Sequence, residues 1–179
     1  MLLTRSGASL QVADSCTVAL ADPEEPDARQ PYHAGFGTAR ETGQELSRLV
    51  ASIKRYGRGS MQRLLWRYAD SGVPLRGAGV VVGSLIAAET IANDHIRIHA
   101  LEGQLFRTAV QDGLARHRLP CATWRERDLL QVAVKQLGRT ESSLQRVLTS
   151  LGREAAGPWR AEQKRAALAA WIVLDGTNL

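Results

Sequence analysis

A chain of 179 residues, 44% hydrophobic and 23% charged, suits one domain with a real core and is short for two. No apolar run nears the roughly 20 residues of a membrane-spanning helix, and Cys16 and Cys121 are too few for a disulfide framework, which points to a reducing, cytoplasmic setting. The charge is uneven: residues 1–37 hold two basic and five acidic side chains, a net of −3, so the remainder carries +8 to give the total of +5, a balance that suits an anionic partner such as nucleic acid.

The chain opens on "MLLTRSG", with Arg5 after the apolar residues, the wrong order for a secretory signal. "MLLT", "SLQVA" and "CTVALA" read as short strands, separated by turn-forming "RSGA" and "DS" at hairpin spacing. "DPEEPDARQPYHAGFG" follows, with three prolines, two glycines and five charges. It makes residues 23–37 a Pro-rich loop, either mobile or a functional arm.

From Ala39 the period becomes helical, with Leu46, Leu49, Val50 and Ile53 on one stripe. Gly57 and Gly59 are expected to interrupt this helix. A second short helix then carries Met61, Leu64, Leu65 and Tyr68 inward and stops at "SGVP". "GAGVVVGSL" reads as a strand covered on both faces. Asn93 or Asp94 can cap the next helix, whose apolar face is Ile98, Leu101, Leu105 and Ala109.

"LPCATW" is a second buried strand. Leu130, Val134 and Leu137 then mark a helix closed by Gly138. Thr140 caps another, with Leu144, Val147, Leu148 and Leu151 inside and Gly152 at its end. Pro158 suits the first turn of a last helix running through "RAALAAWIVL". Hairpin strands must be antiparallel and helix-linked strands parallel. The expectation is one α/β domain over residues 1–179, a mixed sheet of about five strands flanked by helices.

Four groups of residues carry chemistry. In "NDHIRIHALEGQ", His95, His99 and Glu102 fall on one helical face, and His-x-x-x-His lets two imidazoles reach one metal. Ile96 stands where a zinc protease helix would place its glutamate, and the same residues also read as an exposed pair of His99 with Glu102. The start of this helix, with His95 and Arg97 beside its free amides, can face a phosphate at the end of the central strand. In "WRERDL", Glu126 and Asp128 emerge at a strand end between Arg125 and Arg127. They read as an acidic helix start or as ligands for two-metal phosphodiester chemistry. Finally, "KRYGRGSMQRLLWRY" interleaves Lys54, Arg55, Arg58, Arg63 and Arg67 with Tyr56, Trp66 and Tyr68. Cations with aromatics suit phosphate pairing and base stacking, and also an ordinary solvated face.

The strand order together with "VVVGSL", the helix bearing Phe106, "LPCATW" and "RERDL" resembles the ribonuclease H-like superfamily. Its nearest branch is the Holliday-junction-resolvase-like proteins, described also as pre-ribosomal-RNA nucleases. The resemblance covers residues 1–175 in topology and 80–130 in wording. It implies a ribonuclease H-like fold, a nucleic-acid partner and acidic residues holding Mg²⁺. The pattern departs at those acids. Arg5 of "RSG" stands where the first-strand aspartate would be, and Arg125 where the aspartate of Asp-Glu-Arg would be, with Glu126 retained. The last helix offers only Glu162.

The resemblance, with its acids replaced, implies a non-catalytic domain; together with the basic residues above, the expectation is association with nucleic acid through Arg5, Lys54, Arg55, Arg58, Arg63, Arg67, His95, Arg97, His99, Arg125 and Arg127. On that reading no cofactor or bound metal is expected. The alternative is a Mg²⁺-dependent nuclease drawing its acids from Asp14, Glu89, Glu126 and Glu162, and a more distant one is a metal hydrolase at His95 and His99. No membrane partner is expected, and a second copy of the chain is left open.

Overall fold

Four of the five expected strands form in the computed structural model, which describes residues 1–7, 9–34 and 39–176. They are β1 (Leu2–Ser6), β2 (Ser9–Asp14), β3 (Ala78–Val82) and β4 (Cys121–Arg125). The helices are α1 (Gln44–Asp70), α2 (Asp94–Arg116), α3 (Leu129–Leu137), α4 (Glu141–Glu154) and α5 (Ala161–Asp175). The class is α/β, as expected, but the mixed five-stranded sheet is not there. β1 pairs antiparallel with β2, β3 pairs parallel with β4, and these are two separate two-stranded sheets. "CTVALA" forms no strand. Its side chains alternate between exposed and half-buried, and alternation reports one-sided burial, not a ladder partner.

The chain divides into two compact units. The first comprises Met1–Thr17, Arg76–Gly83 and Leu119–Leu179. Its organising element is α5, which packs on β3 and β1 and against α3 and α4. The composition of α5 explains this: Ala167, Leu168, Ala169, Trp171, Ile172 and Val173 are all buried. Small residues let β3 approach closely. A Cβ on Gly79 would lie 3.0 Å from the Ala169 carbonyl oxygen and 2.8 Å from the Trp124 ring. Leu129 and Ala133 of α3, with Leu144, Leu148 and Leu151 of α4, complete the core.

The helix ends in this unit follow local chemistry. The Thr140 hydroxyl accepts from the Ser143 amide at 3.3 Å, and Gly138 closes α3 at φ 60°. Two expectations shift. α4 runs past Gly152 to Glu154, with the Trp159 indole donating to the Leu148 carbonyl at 3.0 Å. α5 starts at Ala161, with the Arg160 amide donating to the Gln163 side-chain oxygen at 3.0 Å, so Pro158 lies before the helix and not in its first turn.

The second unit comprises Val18–Leu75 and Ser84–Arg118. Here α1 is one continuous helix; Gly57 and Gly59 do not break it. Gly57 has a packing role: a Cβ there would sit 3.4 Å from Ala109 Cβ of α2 and 3.4 Å from the Leu20 carbonyl oxygen. Tertiary contact offsets the roughly 1 kcal/mol that a helical glycine costs. The contacts advance one turn at a time, Leu49 and Ile53 with Leu105, Gly57 with Ala109, Met61 with Gly113. The two helices therefore run in the same direction.

The Pro-rich segment is packed in its described part. Pro26–Arg29 forms a 3-10 turn, Ala28 and Pro31 are fully buried, and Tyr32 joins the cluster of Leu49, Ile53 and Leu105. The Ser52 hydroxyl and the Arg48 guanidinium both bond the Glu25 carboxylate and hold it below the usual glutamate range. That explains why Ser52 is buried. Residues 35–37 of the expected loop lie outside the described residues. Among the described residues, no helix is long and apolar enough to cross a membrane.

Candidate functional site

The start of α2 is built as the sequence predicts, with the Asn93 side chain accepting from the Ile96 amide at 3.0 Å. Its charge balance is different. Arg97 is held by two carboxylates, Nε 2.9 Å from Glu41 and Nη2 2.9 Å from Asp94. The Glu41 hydrogen bond, more than any other cause, pushes Arg97 above the usual arginine range. The helix start is thus lined by Asn93, Asp94 and Glu41 alongside Arg97.

In the first two turns of α2, His95 and His99 stand exposed with ring centroids 4.6 Å apart. A third imidazole joins them from the other half of the unit. His33 follows the buried Pro31 and the half-buried Tyr32, and its amide donates to the Gln30 carbonyl at 3.1 Å. Its ring lies 5.3 Å from His99 and 6.4 Å from His95, centroid to centroid. One nitrogen from each of the three rings lies within 4.8 Å of the other two.

Glu102 sits beneath this group. It is 8% exposed, which corrects the expectation of an exposed pair with His99. One carboxylate oxygen is 2.9 Å from His33 Nδ1 and the other 3.5 Å from His99 Nδ1. Burial, with the Glu102 charge adding to it, raises the Tyr32 phenol above its usual range.

The predicted acids lie on four different elements of the described chain. Glu126 pairs with Arg165 at 2.7 Å, and Glu162 lies exposed one turn before that arginine, in the first turn of α5. Arg5 instead grips Asp175, with Nε 3.1 Å from Oδ1. Ten residues of helix separate positions 165 and 175, about 15 Å, so Arg5 and Glu126 sit at opposite ends of α5. Arg125 bonds the Asp128 carboxylate, and Arg127 lies 3.8 Å from it. Asp14 ends β2 opposite Leu2, and Glu89 is exposed in the 3-10 turn Ala88–Thr90.

The outer face of α1 is basic. From Leu46 to Ala69 the helix has six cations (Arg48, Lys54, Arg55, Arg58, Arg63, Arg67) and no acid. Arg48 is engaged by Glu25 and Glu45. The other five are exposed, and so is Trp66, at 54%. Arg55, Arg58, Gln62 and Trp66 follow at three- and four-residue spacing, which places them on one face. The Arg63 guanidinium lies 5.9 Å from the Tyr56 ring centre and that of Arg67 5.3 Å from Tyr68. Tyr68 is buried, so it serves the core as well as its arginine.

His33 is the residue that sequence reasoning missed. It stands 62 positions before His95, in a segment read as a loop, and no spacing rule joins the two. A search of protein-family models, of curated proteins and of solved structures finds no match to this chain.

Proposed function

We propose that the chain is a non-catalytic protein that associates with single-stranded nucleic acid through the outer face of α1. The carrying observation is the run of exposed Lys54, Arg55, Arg58, Arg63 and Arg67, unbroken by any acid, with Trp66 standing out among them. Cations spaced along 20 Å of helix neutralise successive phosphates, and an exposed indole offers a face on which a base can stack. The non-catalytic part is supported by the pairing of Glu126 with Arg165, since a guanidinium takes up the oxygens a divalent ion would require. The ribonuclease H-like resemblance enters as a proposal about origin, with Arg5 and Arg125 standing in place of carboxylates.

The test is fluorescence anisotropy with labelled single-stranded DNA and RNA across a salt series. Five neutralised phosphates give a slope of log K on log salt of about −3.5 for single strands. Arg55→Glu with Arg58→Glu is expected to flatten that slope and weaken binding at least tenfold. Trp66→Ala is expected to weaken single-strand binding by about 1–3 kcal/mol while leaving the salt slope alone. A salt-independent interaction, or one untouched by the double charge reversal, would remove α1 as the interface. Cleavage of branched DNA or structured RNA in Mg²⁺ or Mn²⁺, abolished by Glu126→Gln, would replace the non-catalytic reading with the nuclease one.

A further inference from the structure

We propose that His33, His95 and His99 form a binding site for one divalent transition-metal ion of the zinc class, with Glu102 orienting two of the three imidazoles. The inference is independent of the nucleic-acid reading. It begins from the spacing of His95 and His99, four residues apart on α2, which directs both rings to one side of the helix. His33 arrives from a separate segment whose preceding residues, Pro31 and Tyr32, are packed into the unit. Three rings therefore meet from two parts of the chain. His95 and His99 are exposed, so burial of apolar surface does not require that convergence.

The geometry is close to a ligand set. Two imidazole nitrogens on one tetrahedral zinc, at about 2.0–2.1 Å each, lie about 3.3 Å apart. The three nitrogens here are within 4.8 Å of one another. Small side-chain rotations of the exposed rings close the remaining gap.

Glu102 supplies what a bare cluster lacks. Its two oxygens face the Nδ1 atoms of His33 and His99 at 2.9 and 3.5 Å, from a position only 8% exposed. A carboxylate that accepts from Nδ1 leaves Nε2 carrying the lone pair, which is the arrangement of a carboxylate–histidine–metal relay. The buried negative charge also offsets that of the incoming cation. Imidazole donors select zinc, copper, nickel or cobalt over magnesium and calcium, which take oxygen ligands. With three protein ligands, the fourth tetrahedral position lies on the solvent side and is filled by water.

The test uses the full chain, free of any affinity tag, titrated with Zn²⁺ against a chromophoric chelator and with Co²⁺ by visible absorption. One zinc per chain is expected, undisturbed by excess Mg²⁺, with the visible bands of four-coordinate cobalt. The double variant His95→Ala/His99→Ala and the single variant His33→Ala are each expected to weaken zinc binding at least 100-fold. His95 and His99 are exposed, so far-UV circular dichroism of the double variant should match the parent. Glu102→Gln, which keeps the shape and removes the charge, is expected to weaken binding about 10–100-fold. His117, at the far end of α2, is the control: His117→Ala is expected to bind as the parent does. No binding at micromolar zinc, equal affinity in the double variant, or an equal loss in His117→Ala would each overturn the site.

Discussion

Trp171→Ala should lower the stability of the first unit by about 3–5 kcal/mol, the usual range for truncating a buried tryptophan. Trp171 is 2% exposed, in the C-terminal half of α5, the helix that packs on β1, β3, α3 and α4. Its indole nitrogen donates to Asp175 at 2.8 Å, and that carboxylate also receives Arg5. The Arg139 guanidinium covers the ring, 5.4 Å from its centre. Truncation opens a cavity between elements that come from three stretches of the chain, and each is tied down by the others, so collapse into the space is limited. It also strands Asp175 without its indole donor. Trp171→Phe separates the two effects: it keeps most of the ring and loses the hydrogen bond, for an expected cost of about 1–2 kcal/mol. Urea unfolding followed by far-UV circular dichroism measures both. A loss under about 1 kcal/mol for the alanine variant would mean that α5 is not the centre of this core.

Gly113→Val should lower the stability of the second unit by about 2–3 kcal/mol. A Cβ at position 113 would lie 2.7 Å from Met61 Cβ and 2.9 Å from its Cγ. The Met61 Cβ is fixed to the α1 backbone and cannot swing aside, so α1 and α2 must part. Gly113→Ala is the sharper experiment because two effects oppose. Alanine gains up to about 1 kcal/mol of helix propensity over glycine, whereas the overlap with Met61 costs more. A net loss is expected, with a lower thermal midpoint. A net gain would show that the crossing is looser than these distances. Combining Gly113→Ala with Met61→Gly moves the open position from one helix to the other, and the two changes should then be strongly non-additive.

The local punctuation of this chain was legible because capping and turn chemistry act over a few residues. Asn93, Thr140 and Gly138 end or begin helices where their side chains and backbone freedom say they should. The glycines of α1 misled for the complementary reason. A glycine's propensity is read alone, but Gly57 is present for what it touches, Ala109 and Leu20, neither of which is near it in sequence. "CTVALA" misled similarly: its alternation is real, yet a strand needs a partner's amides, and alternation does not say whether any are offered.

The site was legible in part. His95, His99 and Glu102 share a face by helical geometry alone, and the basic character of α1 follows from residue identity. The burial of Glu102 and the arrival of His33 could not be read, because both depend on how the segment Pro26–His33 lies against α1 and α2. The same holds for two of the arginines. Arg5 and Arg97 look like free cations in the sequence and meet the distant carboxylates of Asp175 and Glu41 in the fold, whereas the partner of Arg125, Asp128, is only three residues on.

Sequence by itself determined where most helices lie, the caps at Asn93, Thr140 and Gly138, the hairpin β1–β2, the parallel β3–β4 pair and an outer face of α1 without acids. The helices, caps, hairpin and charge arise from interactions within a few residues or from side-chain type, and the parallel pair follows from the helical connection between its strands. Only the tertiary structure decided that the strands form two small sheets, that α1 is unbroken, and that three histidines meet over one buried carboxylate. Those outcomes turn on which distant surfaces touch, and contact energy between segments dozens of residues apart leaves no periodic trace along the chain.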